Sequence, residues 1–150
     1  MAAVAVAGGR AAAKTDRVSR RPGGTDIQLR VTVALPAYLT PRNAWRRAIH
    51  RAAAAEFAAA NLRFSEQDRI GIVVELEMTE GMLRFHDVDN RLKDVLDALQ
   101  GRVGGSKRVR ALPALIPNDK QIFKAAVEKR LARDGFSGGG RLQVWRLDGD

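Results

Sequence analysis

The stretch from His86 to Lys93 constrains this chain more than any other part of its sequence. It places Asp87 and Asp89 two residues apart, just before a predicted helix. In an extended segment such side chains point the same way, so both carboxylates can face one divalent cation. Lys93 shares a helix face with Asp89 if Asp89 lies in the first turn. Asp119, which follows a loop, is a candidate third acid. Three carboxylates and a lysine predict a metal that acts on a phosphate.

The charge of the chain indicates what carries that phosphate. There are 26 Lys and Arg against 17 Asp and Glu, a formal net charge of +9. Residues 1–24 hold five basic residues and one acid, so +5 of this charge belongs to the remainder. A basic domain is typical of proteins that bind a nucleic-acid backbone. A solvated basic surface without a partner is the alternative.

Length and composition set the outer limits. A chain of 150 residues suits one domain. The absence of cysteine excludes disulfides, Cys-ligated zinc and a thiol nucleophile, and it fits a cytoplasmic protein. No run of about 18 apolar residues occurs, so a membrane is not an expected partner.

The pattern along the chain predicts a disordered basic tail over residues 1–24 and a folded domain over 25–150. Alternating apolar residues indicate a strand over 27–33. Thr40 and Pro41 are typical of a helix start, and this helix is predicted to run to Asn61. Its predicted apolar side contains Trp45, Ile49, Ala52, Ala53 and Phe57, and its basic side contains Arg42, Arg46, Arg47 and Arg51.

The second half of the chain continues the alternation of strands and helices. A second strand is predicted from Ile70 to Met78, and a second helix from Asn90 to Gln100, with Gly101 ending it. The buried stripe of this helix is predicted to contain Leu92, Val95, Leu96 and Leu99. Residues 102–117 are predicted to be a loop and residues 141–147 a last strand. Residues 120–131 suit a helix or a strand equally well.

Each candidate site residue also has an interpretation that needs no metal. Asp87 or Asp89 alone is typical of a helix N-cap. Lys93 and Asp97 are spaced as a surface ion pair, and Asp119 as a turn residue. His86 could ligand a metal or relay a proton, but a histidine beside acids is more often a bystander. We expect His50, Glu75 and Glu77 to face solvent, with supplementation of the metal site by Glu75 or Glu77 as the alternative.

Two other metal-binding motifs fit less well. An EF-hand loop that starts at Asp87 needs glycine at its sixth position and glutamate at its twelfth, where this chain has Leu92 and Ala98. Phosphatases that form a phosphoaspartate also use Asp-x-Asp, but directly after a buried apolar strand. Here Arg84, Phe85 and His86 precede the motif, so this remains a weak competitor.

The motif resembles the signature of RusA-type Holliday-junction resolvases, D-x-D-N-x-x-K-x-x-x-D-A-L followed by D-D-x-x-(I/V). The matching segments are Asp87–Asn90, Lys93, Asp97–Leu99 and Asn118–Ile122, within roughly residues 70–130. The order of the first strand and helix is also similar to that family's N-terminal half. The resemblance departs at Asn118, which stands in place of the first acid of the pair. The loop before Asp119 is also longer than in the family.

The resemblance implies a small α/β (α+β) domain with a mixed sheet of about four strands and two main helices, forming a homodimer. It implies metal-binding acids at Asp87, Asp89 and Asp119, and Lys93 as the essential basic residue. Mg²⁺ is the implied cofactor, with Mn²⁺ as an alternative. The implied activity is paired nicking of four-way DNA junctions in recombination and repair. It also favours a strand over 120–130.

Basic side chains on the first helix and in the long loop are the expected DNA contacts. These are Arg42, Arg46, Arg47, Arg102, Lys107, Arg108 and Arg110. The competing class is a non-catalytic dimer that binds branched DNA or other nucleic acid on the same scaffold. Acids repel phosphate, so the joint presence of Asp87, Asp89, Lys93 and Asp119 favours the nuclease. A phosphohydrolase of small molecules would need a closed pocket, of which the sequence gives no sign.

Overall fold

A computed structural model describes residues 14–17, 29–104, 110–135 and 138–147 of the chain. They form a mixed sheet covered by helices on one face. The strands are β1 (Lys14–Arg17), β2 (Leu29–Leu35), β3 (Arg69–Met78), β4 (Ile122–Leu131) and β5 (Gly139–Leu147). The helices are α1 (Arg42–Ala59), α2 (Glu80–Phe85) and α3 (Val88–Leu99). The predicted combination of a mixed sheet with helices is confirmed.

The sheet order is β1-β2-β5-β3-β4. All neighbours are antiparallel except β3 and β4, which run parallel. A parallel pair needs a crossover connection, and α3 provides it. The short edge strand β1 lies within the segment for which the sequence predicts disorder. The rest of residues 1–24 lie outside the described residues.

Alternation in the strands sends one set of side chains into a single core. Val31 and Val33 of β2 face Val144 and Leu142 of β5, and all four are buried. Trp45, Ile49, Ala53 and Phe57 from α1 and Val95, Ala98 and Leu99 from α3 join the same cluster. This face of the sheet therefore carries the helices. None of the helices in the described ranges has the length and apolar content needed to cross a membrane.

The first helix begins at Arg42, after Pro41 at the N-cap position, rather than at Pro41. Its apolar side is as predicted, except that Ala52 is only partly buried. The expectation that His50 is a surface residue is wrong, because the side chain is buried and its Nε2 lies 2.7 Å from the carbonyl oxygen of Pro113. This contact joins α1 to the segment that leads to β4.

Between β3 and the acidic motif the chain forms α2, which begins at Glu80 and is not among the predicted helices. Thr79 caps this helix, because its hydroxyl accepts a hydrogen bond from the backbone nitrogen of Met82 at 3.3 Å. A threonine followed by a glutamate is a normal signal for a helix start. The helix has only six residues, too few to establish an apolar period.

Gly101 ends the second main helix as predicted. Its φ of 80° places it in the left-handed region, and its nitrogen donates to the carbonyl of Ala98 at 2.9 Å. The nitrogen of Arg102 donates to the carbonyl of Asp97 at 2.8 Å, which completes a Schellman motif. A Cβ at this glycine would lie 2.0 Å from the carbonyl oxygen of Leu112. The glycine therefore allows both the cap and the close approach of the returning chain.

The face of the sheet opposite the helices carries polar and aromatic side chains. Thr32 and Gln143 are buried there, and the indole of Trp145 lies over Gly71, where a Cβ would come within 2.5 Å of the ring. The expectation that Glu75 faces solvent is wrong. It is 8% exposed and accepts hydrogen bonds from Arg141 on the neighbouring strand.

Candidate functional site

The two motif aspartates lie at the N-terminus of α3. Asp87 is the N-cap residue, in an extended conformation, but its side chain makes no capping hydrogen bond. Its Oδ2 accepts a hydrogen bond from the side-chain Nδ2 of Asn90 at 3.5 Å. Asp89 is in the first turn, and its Oδ1 accepts a hydrogen bond from the backbone nitrogen of Asn90 at 3.0 Å. Both carboxylates are exposed, so the pair stays open to a ligand.

Asp87 therefore has the position of an N-cap residue but lacks the capping hydrogen bond. The residue occupies the capping position, yet its carboxylate does not satisfy the free N–H groups of the first turn. The positive end of the helix dipole still favours the charge of both aspartates. Two exposed carboxylates held two residues apart are suitable oxygen ligands for Mg²⁺, which usually keeps several of its waters.

Lys93 lies one turn further along the same helix. Its side chain is 59% exposed and its Nζ is 3.7 Å from Oδ2 of Asp97. The spacing is that of the surface ion pair predicted from the sequence. Such an exposed pair contributes little stability, so Lys93 can exchange Asp97 for a phosphate oxygen at low cost.

His86 is held by groups on both of its sides. Its Nδ1 lies 2.8 Å from Nη1 of Arg91, and its carbonyl oxygen accepts a hydrogen bond from Nζ of Lys129 at 2.6 Å. A guanidinium can only donate, so Nδ1 accepts and the ring proton lies on Nε2. Burial, together with the charges of Arg91 and Lys129, lowers the pKa of His86. The imidazole is therefore neutral at pH 7, and Nδ1 is occupied.

A buried carboxylate that the sequence analysis missed organises the rear of this motif. Asp94 is fully buried, and its oxygens lie 2.8 Å from Nε of Arg42, 2.8 Å from Nη2 of Arg46 and 3.1 Å from Nε of Arg91. The hydrogen bond with Asp94 raises the pKa of Arg42. The guanidinium of Arg91 also lies 4.7 Å from the ring centre of Tyr38. Asp94 thus positions Arg91, which in turn holds His86 next to Asp87.

A signal for Asp94 was present in the sequence. The buried positions of α3 are Arg91, Asp94, Val95, Ala98 and Leu99, whereas the predicted Leu92 and Leu96 are only partly buried. The true stripe therefore includes two charged residues three apart, opposite the arginine-rich side of α1. Charged residues on the face between two helices indicate an internal ion pair.

The arginines of α1 that are predicted to contact DNA also bind groups inside the protein. Arg46 is 16% exposed and contacts both Asp94 and Asp97. Arg47 donates from Nη1 to the carbonyl oxygen of Val103 at 2.9 Å. Arg42 remains 45% exposed despite its bond to Asp94. The reason is electrostatic, since a buried carboxylate needs cationic partners and these arginines provide them.

The basic loop is described only at its two ends. Arg110 is exposed and donates to the carbonyl oxygen of Pro117. It lines a cleft of about 470 Å³, together with Arg69, Lys120 and others. Arg102 is partly buried. The other two predicted DNA contacts in this loop, Lys107 and Arg108, lie outside the described residues.

Asp119 lies at the opposite end of the sheet from Asp87 and Asp89. It begins a short 3-10 turn (Asp119–Gln121) that leads into β4. The side chain of Asp119 is exposed. His86, by contrast, contacts Lys129 near the far end of β4. From Ile122 to Lys129 the strand spans about 23 Å. The prediction that Asp119 closes the acidic cluster is therefore not met within one chain.

The length of α3 also separates Asp119 from Asp87 and Asp89. This helix of 12 residues covers about 18 Å, and its last residue, Leu99, accepts hydrogen bonds from the nitrogens of Leu115 and Ile116. Those residues lead directly to Asp119. Among the residues that the structure describes, no group of three or more His, Asp or Glu side chains is arranged to hold a metal ion.

Two comparisons with known proteins were negative. No protein-family model matches the chain, and no curated protein matches it.

Proposed function

We propose that this chain is a Mg²⁺-dependent, structure-selective endodeoxyribonuclease that resolves four-way DNA junctions, as RusA-type resolvases do. The observation that carries the proposal is the exposed Asp87–Asp89 pair at the start of α3, with Lys93 one turn later. A net charge of +9 makes DNA phosphate the natural partner of such a group. In this proposal the enzyme acts in recombination and repair.

Asp87 and Asp89 are the residues that would hold the cation, and Mn²⁺ could replace Mg²⁺ there. When bound, the ion would activate water and neutralise charge on the scissile phosphate. Lys93 would bind a non-bridging phosphate oxygen, since its ammonium group is mostly exposed on the same helix. Arg91 and Asp94 keep the segment before the helix in place, so that the two carboxylates need little rearrangement.

The position of Asp119 supports a homodimer. This acid lies too far from Asp87 and Asp89 to share a cation with them in one chain, so a complete site needs Asp119 from a second copy. A two-fold dimer would then contain two such sites, matching the two symmetric strands of a four-way junction. Paired nicking follows from that symmetry.

DNA binding would rest on the charges that are not consumed inside the protein. Arg110 and Lys120 beside Asp119 are exposed. The half-exposed Arg42 near α3 and the loop residues Lys107 and Arg108 would add to this surface. Contacts of this kind with the phosphate backbone recognise junction shape rather than sequence.

One observation favours the alternative of a non-catalytic dimer that binds branched DNA. The three acids do not meet in a single chain, and a binding protein would not need them to meet. Both readings predict binding that weakens steeply with salt, so only cleavage distinguishes them.

The proposal is tested with a synthetic four-way junction incubated with Mg²⁺ or with EDTA, beside a linear duplex of the same sequence. We expect paired nicks in the junction only, and only with the metal. Asp89→Asn should reduce cleavage by about 100-fold or more while junction affinity stays within a few-fold, since the variant removes a metal ligand and not a phosphate contact.

Glu80→Gln is the matched control, because it removes one exposed acid from the neighbouring helix. This variant should cleave at the rate of the unmodified protein. Binding of junctions without nicks under Mg²⁺ and Mn²⁺ would replace the nuclease by the architectural alternative. Normal cleavage by Asp89→Asn would refute the assignment of the site.

A further inference from the structure

The strand β4 is one of the two edges of the sheet formed by the described residues, opposite the short edge strand β1. It pairs with β3 on one side and ends the strand order on the other. An edge strand presents unpaired N–H and C=O groups to any other strand that can reach it. With ten residues it is as long as the longest strand of the sheet. Long open edges are the usual place for one chain to add a strand to another.

Apolar side chains on this edge are unusually exposed. Phe123 is 63% exposed and Leu131 is 50% exposed, at the two ends of β4. Ala125 and Ala126 between them are also exposed, and Val127 is only partly buried. Four of the ten positions of β4 thus combine apolar character with an exposed side chain. This composition fits a strand that is covered by another protein surface.

We propose that β4 pairs antiparallel with β4 of a second copy of this chain, which joins two sheets into one across a two-fold axis. Such an axis is perpendicular to the sheet, so a given residue points to the same face in both copies. Because side chains alternate between the faces along a strand, an even-numbered residue can lie opposite only an even-numbered residue of the partner, and an odd-numbered residue only opposite an odd-numbered one.

Charge selects one register among those that remain. When Ala126 faces the partner's Ala126, Lys124 faces the partner's Glu128, and the symmetry repeats this ion pair on the other side. Shifting the centre to Val127 instead places Lys124 opposite the partner's Arg130. Like charges directly opposite are unfavourable and opposite charges are favourable. The centre at Ala126 is thus the register that the sequence of β4 favours.

The remaining neighbours in this register are compatible with close packing. Ala125 faces the partner's Val127 on the side of the sheet that carries the helices. On the opposite side, the side chain of Glu128 already lies 3.5 Å from Arg130 of its own strand, and Lys124 of the partner would join this cluster. Small residues at the centre let the two backbones approach to hydrogen-bonding distance.

This pairing has a consequence for the acids, which rests on the proposed function. Antiparallel strands bring the beginning of one β4 to the end of the other. Asp119 precedes the beginning, and Asp87 lies near the end through the contact between His86 and Lys129. The dimer would therefore bring Asp119 of one copy to the same end of the paired strands as Asp87 and Asp89 of its partner.

The lack of cysteine in this chain allows a direct test by cross-linking. In the proposed register the Cα atoms of residue 126 in the two copies lie about 5 Å apart, which suits a disulfide. The full chain carrying Ala126→Cys, oxidised with glutathione disulfide, should become a covalent dimer. Ala58→Cys, exposed on α1, should stay largely uncross-linked under the same conditions.

Charge reversal tests the register in the absence of cysteine and of DNA. By sedimentation equilibrium, Lys124→Glu or Glu128→Lys alone should weaken dimerisation by about tenfold or more, because each turns two attractive pairs into repulsive ones. The double variant should restore it. Arg51→Glu, on the exposed side of α1, which packs against β2 and α3, should leave the dimer unchanged.

A chain that is monomeric at all concentrations, or a dimer that neither cross-links at residue 126 nor responds to the reversals, would overturn the proposed interface. These measurements are independent of nuclease activity. A dimer that pairs through β4 but never cleaves junctions would refute the proposed function alone.

Discussion

Glu56 is an ionisable residue that the fold buries. It is buried in α1, and its Oε1 has no hydrogen-bond partner among the residues that the structure describes. Burial raises the pKa of this carboxyl, because a low-dielectric environment disfavours its charged form. The folded state therefore holds this proton more tightly than the unfolded state does.

This gives a prediction at the scale of one residue. A raised pKa in the folded state means that stability is lost as the pH rises through the ordinary carboxyl range. Glu56→Gln should therefore raise the free energy of unfolding at pH 7 by about 1 kcal/mol. The gain should disappear below about pH 4, where both states are protonated. Urea denaturation at the two pH values measures this.

The exposed Glu66 provides the control for that experiment. Glu66→Gln should leave the free energy of unfolding unchanged at both pH values. An equal gain from Glu56→Gln at pH 7 and at pH 4 would show that packing, and not charge, is responsible.

At the scale of elements, α1 and α3 are joined by charge as well as by apolar contact. Asp94 binds Arg42 and Arg46 of α1 and Arg91 of its own helix, while Val95 and Leu99 pack into the core beside it. A buried ion cluster is not a strong source of net stability, but removing one member leaves the others uncompensated.

We therefore expect Asp94→Asn to lower the free energy of unfolding by about 3 kcal/mol. Asp97→Asn should cost less, about 1 kcal/mol, because its partner Lys93 is mostly exposed and Arg46 keeps its contact with Asp94. Both values come from urea denaturation at low salt. Equal losses in the two variants would show that burial of Asp94 has no special effect on the helix pair.

At the scale of the whole molecule, the separation of Asp119 from Asp87 and Asp89 predicts how inactive chains combine. In the proposed dimer, a pair formed by refolding Asp89→Asn and Asp119→Asn chains together would keep one complete site, made of Asp87 and Asp89 from one chain and Asp119 from the other. Junction nicking should return to about one quarter of the unmodified level, since half of the dimers are mixed and each has one of two sites.

The matched control mixes Asp87→Asn with Asp89→Asn. In that mixed dimer each site has lost one acid, so nicking should not return. Recovery in both mixtures, or in neither, would show that Asp119 does not complete the site of a partner chain.

The sequence by itself determined the main elements and the local chemistry. Alternation predicted β2, β3 and β5, the Thr40–Pro41 start and the apolar side predicted α1, and Gly101 predicted the end of α3. The spacing of Asp87, Asp89 and Lys93 identified one exposed acidic pair with a nearby cation. These features depend on neighbours within about one helical turn, so short-range patterns are sufficient to reveal them.

Only the tertiary structure decided which charges are internal and which acids can meet. Asp94 and the arginines of α1 are about 50 residues apart in sequence, and no local pattern pairs them. Asp119 lies far from the motif because β3 and β4 run parallel, which places the two ends of the crossover at opposite ends of these neighbouring strands. Such long-range placement is set by packing of the whole chain, and this is why candidate site residues could be chosen from the sequence but their arrangement in space could not.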